Sequence, residues 1–129
     1  METARRLNTN VFLAEDSAPI RARLAEMLGD VAGIAIVGEA ETPASAIEGI
    51  LRTHPHTVVL DIKLIGGSGI DVLRKVHALE PHIIFIMLTN FPDPQYRKIC
   101  MEAGASYFLD KTADFNRVRE IVASLSVVH

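Results

Sequence analysis

The chain has 129 residues, close to the size of one domain, with 49% hydrophobic residues and a formal net charge of −3. That composition excludes a disordered chain, and the lack of a basic block argues against duplex DNA binding by this domain. No apolar run approaches the roughly 18 residues of a membrane helix, and the single cysteine, Cys100, permits no internal disulfide, which favours a reducing, cytoplasmic setting.

Residues 1–9 carry Arg5 and Arg6 and no apolar core, so a short polar leader is expected there and one domain over 10–129. Within that domain, apolar runs alternate with helical patterns five times. The first predicted strand covers 10–14. A helix then opens at Ser17, a good N-cap, with Pro19 in its first turn. Its Ile20, Leu24, Met27, Leu28 and Val31 form one stripe, and Gly29 or Gly33 can end it. Residues 34–37 make the second strand. The second helix starts at Thr42 and Pro43, with Ile47, Ile50 and Leu51 inward, and 57–61 form the third strand. A loop with Gly66, Gly67 and Gly69 leads to a helix over 70–79, stopped by Pro81. The fourth strand spans 83–89 and a Pro-rich turn 90–94. The fourth helix ends at Gly104, a left-handed cap. The fifth strand covers 106–109. The last helix covers 114–125, with Phe115, Val118, Ile121, Val122 and Leu125 on one side.

The third and fourth strands are near-continuous apolar runs, as strands buried on both faces are. The expected fold is therefore α/β: a flavodoxin-like, doubly wound, five-stranded parallel sheet of order 2-1-3-4-5 with five helices. Four of the strands lead into polar residues: Glu15 and Asp16, Asp61, Thr89, and Lys111. Each alone is ordinary. Acids after a strand are commonly turn residues, a strand-end threonine is a β-former, and a lysine is most often on the surface. Together they lie along the carboxyl edge of the sheet, where ligands bind in open α/β sheets. Three converging carboxylates repel one another, a divalent cation relieves that repulsion, and hard oxygen ligands suit Mg²⁺. Lys111 offers a compact positive charge for a phosphoryl oxygen, and Thr89 a hydroxyl donor.

The chain resembles the receiver domain of two-component response regulators. The resemblance rests on Glu15-Asp16, Val58-Val59-Leu60-Asp61, Ser68-Gly69, Met87-Leu88-Thr89, Ala103-Gly104-Ala105 and Phe108-Leu109-Asp110-Lys111, in order over almost the whole chain. It implies that Asp61 accepts a phosphoryl group from a sensor histidine kinase or phosphotransfer protein. It implies Mg²⁺ held by Asp16 and Asp61 directly, by Glu15 through water and by the backbone carbonyl of Lys63. Lys111 and Thr89 then bind the phosphoryl group. Phe108 takes the place of the family's switch aromatic, and the surface of the fourth helix, fifth strand and fifth helix changes, a surface through which such domains can form homodimers. The implied chemistry is self-catalysed phosphorylation and dephosphorylation rather than turnover of a substrate, with no membrane or direct nucleic acid contact.

The pattern departs in places. Ile65 stands where the family often has proline, so the 62–69 loop is expected to be looser. Thr112 follows Lys111 where proline commonly forms a cis bond. Asn90 replaces a small residue beside Thr89 and is expected to narrow access to the site. Lys63 and Phe91 occupy positions that tune phosphate lifetime, and neither is acidic or amide-bearing. An aspartyl-nucleophile phosphohydrolase is disfavoured because Lys63 stands where its second acid belongs. A flavin module is disfavoured because Glu15 and Asp16 would repel the flavin phosphate. A degenerate receiver serving only for docking would be expected to lose Asp61, Asp16 or Lys111. His54 and His56 form an H-x-H at the far end of the sheet, too few ligands for a zinc site.

Overall fold

A computed structural model describes residues 9–90 and 92–125. The expected leader, apart from Thr9, and Phe91 lie outside the described residues. Five strands form one parallel sheet: β1 (Thr9–Ala14), β2 (Ile34–Ala40), β3 (Thr57–Leu60), β6 (Ile84–Thr89) and β7 (Tyr107–Asp110). Their order is β2-β1-β3-β6-β7. This is the expected 2-1-3-4-5 order, because the fourth and fifth sheet strands are numbered after a two-strand hairpin, β4 (Lys63–Leu64) and β5 (Gly67–Ser68). The helices are α1 (Ala18–Gly29), α2 (Pro43–Thr53), α3 (Gly69–Leu79), α4 (Pro94–Glu102) and α5 (Arg117–Leu125). None is long and apolar enough to cross a membrane.

Successive strand residues feed opposite layers, as the two-residue period of a strand requires. Val11, Leu13, Val59, Ile86, Leu88 and Leu109 pack against Leu24 and Leu28 of α1 and Val118, Ile121 and Val122 of α5. Phe12, Ala14, Val58, Leu60, Phe85 and Met87 pack on the other face, against α2, α3 and α4. Phe12 shows how tightly the second layer closes. A Cβ added at Gly38 of β2 or at Gly49 of α2 would stand 2.6 Å from its ring. The two glycines make room for one phenyl group, and its full burial contributes about 1.5–3 kcal/mol.

Local sequence starts each of the first four helices. The Ser17, Ser68 and Asp93 side chains accept from the amides of Ile20, Ile70 and Gln95 at 3.3, 3.0 and 2.7 Å. Thr42 and Ser45 cap α2 reciprocally. At the end of α4, the Gly104 amide donates to the Met101 carbonyl and the Ala105 amide to the Cys100 carbonyl, with Gly104 at φ +116°. That is the left-handed end the glycine predicts.

Three segments differ from the sequence expectation. β2 runs on to Ala40 rather than stopping at Val37, because Gly38 is a packing position against Phe12 and not a turn. The 62–69 segment is not a loose loop. Lys63 pairs with Ser68 and Leu64 with Gly67, Gly66 turns the hairpin at φ +82°, and the Ile65 amide donates to the Glu41 carbonyl at 2.8 Å. The last helix begins at Arg117 rather than Asp114. Asp110 Oδ1 accepts from the amides of Thr112 and Ala113 at 2.8 and 3.4 Å, which holds that stretch as a turn.

Candidate phosphoryl and metal site

Parallel pairing fixes where the strand ends fall. Ala14 pairs with Leu60, Leu60 with Met87, and Thr89 with Asp110. The residues that follow these pairs therefore meet at one edge. Glu15, Asp61, Thr89 and Lys111 are all buried there, at 2, 4, 0 and 9% exposure, and Asp16 is half-buried. Ionisable groups are seldom buried without partners. The Lys111 Nζ lies 2.8 Å from Asp61 Oδ2 and 2.9 Å from Glu15 Oε1. Glu15 Oε2 accepts from the Ser17 amide at 2.9 Å, and Asp61 Oδ1 accepts from the Lys63 amide at 3.3 Å. One carboxylate oxygen from each of Glu15, Asp16 and Asp61 lies within 4.8 Å of the others.

The electrostatics follow from this burial. Desolvation pushes the Glu15 carboxyl from its ordinary 4.5 up to about 7, reinforced by the neighbouring Asp16 and opposed by the Ser17 amide and Lys111. Desolvation likewise raises Asp61, against the pull of Lys111. Burial alone would lower Lys111, but its hydrogen bonds to Asp61 and Glu15 outweigh that and raise it, so the ammonium stays charged. Three acids thus converge around the Lys111 ammonium. The donor set of closely spaced carboxylate oxygens fits a small, hard divalent ion. A cavity of about 490 Å³ opens on it between Asp16, Ser17 and Arg23 on one side and Asn90, Lys111 and Thr112 on the other.

The predicted site residues Glu15, Asp16, Asp61 and Lys111 are therefore brought together, and Thr89 ends the neighbouring strand. Phe108 is buried in the α2–α3–α4 layer at 8% exposure, with the Arg97 guanidinium 6.0 Å from its ring centroid. The Lys111–Thr112 peptide bond is trans, like every described bond. Cys100 is buried, and desolvation pushes its thiol up to about 11, so it is inert packing. His56 Nδ1 accepts from the Asn10 amide at 2.9 Å, a structural role at the opposite edge. Sequence reasoning missed Arg21, which donates to the backbone carbonyl of Glu15 at 2.6 Å. The only available signal was an arginine one helical turn past the Ser17 cap, and such residues usually point to solvent.

The family model of the response regulator receiver domain matches residues 11–123. The chain belongs to this family. Among curated relatives, it is 30% identical over 120 residues to the transcriptional regulatory protein YesN of Bacillus subtilis, covering 89% of this chain and 33% of that protein. It is 29% identical over 120 residues to the response regulator UvrY of Escherichia coli, covering 93% and 54%. The receiver thus spans from a third to about half the length of these relatives. The signal receiver domain of the response regulator NarL from Mycobacterium tuberculosis superposes with a TM-score of 0.85 at 22% identity, covering 93% of this chain and 97% of that one, a likeness of fold. The chain is a two-component receiver domain.

Proposed function

We propose that Asp61 is the phosphoacceptor of this receiver and that the domain runs from residue 10 to residue 129 after a leader at 1–9. The observation that carries the reading is the buried Lys111 ammonium bridging Asp61 and Glu15 beside Asp16. An Asp61 carboxylate oxygen attacks the phosphorus of a phosphohistidine on a sensor kinase or phosphotransfer protein. The P–O bond forms as the P–N bond breaks, and the imidazole leaves and takes up a proton. The product is an aspartyl phosphate, an acyl phosphate that water later hydrolyses.

Asp16, Asp61 and the Lys63 carbonyl would hold Mg²⁺ directly and Glu15 through water. Glu15 suits an outer role because its arm, one methylene longer than that of aspartate, still reaches a metal-bound water. When bound, the ion neutralises charge on the acceptor and the incoming phosphoryl group. Lys111 is positioned to exchange its bond to Asp61 for one to a phosphoryl oxygen, and the Thr89 hydroxyl donates to another. Phe108 already lies inward in the α2–α3–α4 layer, so the switch would be a repacking of its buried ring that changes the α4–β7–α5 surface, which sets the binding of an output partner or of a second copy of the chain.

Acetyl phosphate tests the reading without a kinase. Intact mass should rise by one phosphoryl group only when Mg²⁺ is present, with the label stable to acid and labile to alkali, and Asp61→Asn should abolish it. Labelling that survives in the Asn variant would overturn the assignment.

A further inference from the structure

Arg21 lies on α1, five residues beyond Asp16, and its guanidinium folds back across the first turn of the helix. Nη1 donates to the Glu15 backbone carbonyl at 2.6 Å and to Glu41 Oε2 at 3.3 Å, while Nε donates to Glu39 Oε1 at 3.1 Å. The Arg21 side chain is 17% exposed, against 43 and 48% for Glu39 and Glu41. The Glu15 amide donates to the Ala40 carbonyl at 3.0 Å, so both backbone polar groups of Glu15 are fixed, the amide by β2 and the carbonyl by Arg21 of α1. The Glu41 carbonyl in turn accepts from the Ile65 amide at 2.8 Å. One planar guanidinium therefore joins the acidic turn after β1, the end of β2 and, through Glu41, the hairpin that follows Asp61.

This arrangement exceeds what a surface ion pair requires. Exposed Arg–Glu pairs contribute little, and these two glutamates are half in water. The short bond goes instead to a main-chain oxygen, the one whose direction sets how Glu15 and Asp16 leave the strand. A guanidinium suits that task because its fork is rigid and its charge permanent. We propose that Arg21 is a positioning residue for the divalent-cation site. It holds the Glu15 carbonyl so that the Glu15 and Asp16 carboxylates face Asp61, and Glu39 and Glu41 steer the guanidinium into place. This rests on the reading of Glu15, Asp16 and Asp61 as a Mg²⁺ site, but not on which group the site transfers.

The role has a discriminating sign. A positive charge beside a cation site repels the ion, so removing it should strengthen Mg²⁺ binding if charge is all that matters. Removing a positioning group should weaken binding, as loss of outer partners of metal ligands does. The test is a Mg²⁺ titration of the parent, Arg21→Gln and Arg21→Lys, followed by amide shifts of Glu15, Asp16 and Asp61, with unfolding midpoints measured in EDTA and in saturating Mg²⁺. Binding should weaken about tenfold in Arg21→Gln, the lower end of outer-partner effects. It should also weaken in Arg21→Lys, which keeps the charge and loses the fork. The rise in unfolding midpoint on adding Mg²⁺ should shrink in both. A purely structural arginine would instead lower the midpoints in EDTA and in Mg²⁺ by equal amounts, leaving the rise unchanged. Equal or tighter binding by Arg21→Gln overturns the positioning role while the parent's own binding still stands. A parent that takes no Mg²⁺ at these residues overturns the site reading and this inference together.

Discussion

Burial strains Glu15 electrostatically. Its carboxyl binds a proton more tightly in the fold, near 7, than in the unfolded chain, near 4.5, chiefly because it is desolvated. A raised folded value means that the associated stability is complete below about pH 4.5, is lost as pH rises, and is gone above about 7. The loss is on the order of 3 kcal/mol across that window. Urea unfolding of the parent and Glu15→Gln in EDTA should therefore show the parent losing ground to the variant by about that amount as pH rises. A constant difference would contradict the burial account. Much of this was legible beforehand, since three acids and a lysine at strand ends already imply a strained, cation-seeking cluster. The pairing of Lys111 with Glu15 as well as Asp61 was not legible, because it depends on how far Glu15 reaches across the crevice. Arg21 was missed for the same reason: nothing local says that a helical arginine bends back to a carbonyl.

At the scale of elements, α3 is docked directly behind the acceptor. A Cβ at Gly69 would overlap the Asp61 carbonyl oxygen, and the Gly69 amide donates to the Ile62 carbonyl at 2.6 Å. The obstacle is backbone, which cannot rotate away. Gly69→Ala should destabilise the domain by about 3 kcal/mol, at the top of the range for overpacking. Gly29→Ala, at a helix end with open space around it, should change stability by no more than about 1 kcal/mol. Chemical denaturation of the two variants checks the contrast, and equal losses would contradict it. The main elements were legible because strand and helix periods differ and the N-caps are explicit. The β4–β5 hairpin was not, since two-residue strands carry no periodicity and three glycines suggest slack. The helix α2 ends at His54 in a left-handed conformation, φ 50°, where a glycine would have signalled the stop.

At the scale of the whole molecule, the proposed site lies at the carboxyl edge, and the proposed function routes its output through Thr89 and Phe108 to α4, β7 and α5. Thr89→Ala and Lys111→Ala should still accept a phosphoryl group, more slowly, because Asp61 and the metal ligands remain. With beryllium fluoride and Mg²⁺ they should fail to reproduce the parent's amide shifts across residues 94–110. A full shift pattern in Thr89→Ala would make Phe108 ordinary core. Beneath both effects stands one claim, that Asp61 carries the phosphoryl group. Treatment with acetyl phosphate and Mg²⁺, borohydride reduction of the acyl phosphate and peptide mapping test it directly. The account predicts homoserine at position 61, and none when Mg²⁺ is withheld. An unmodified Asp61, or instead homoserine at Asp16 or 5-hydroxynorvaline at Glu15, would contradict it.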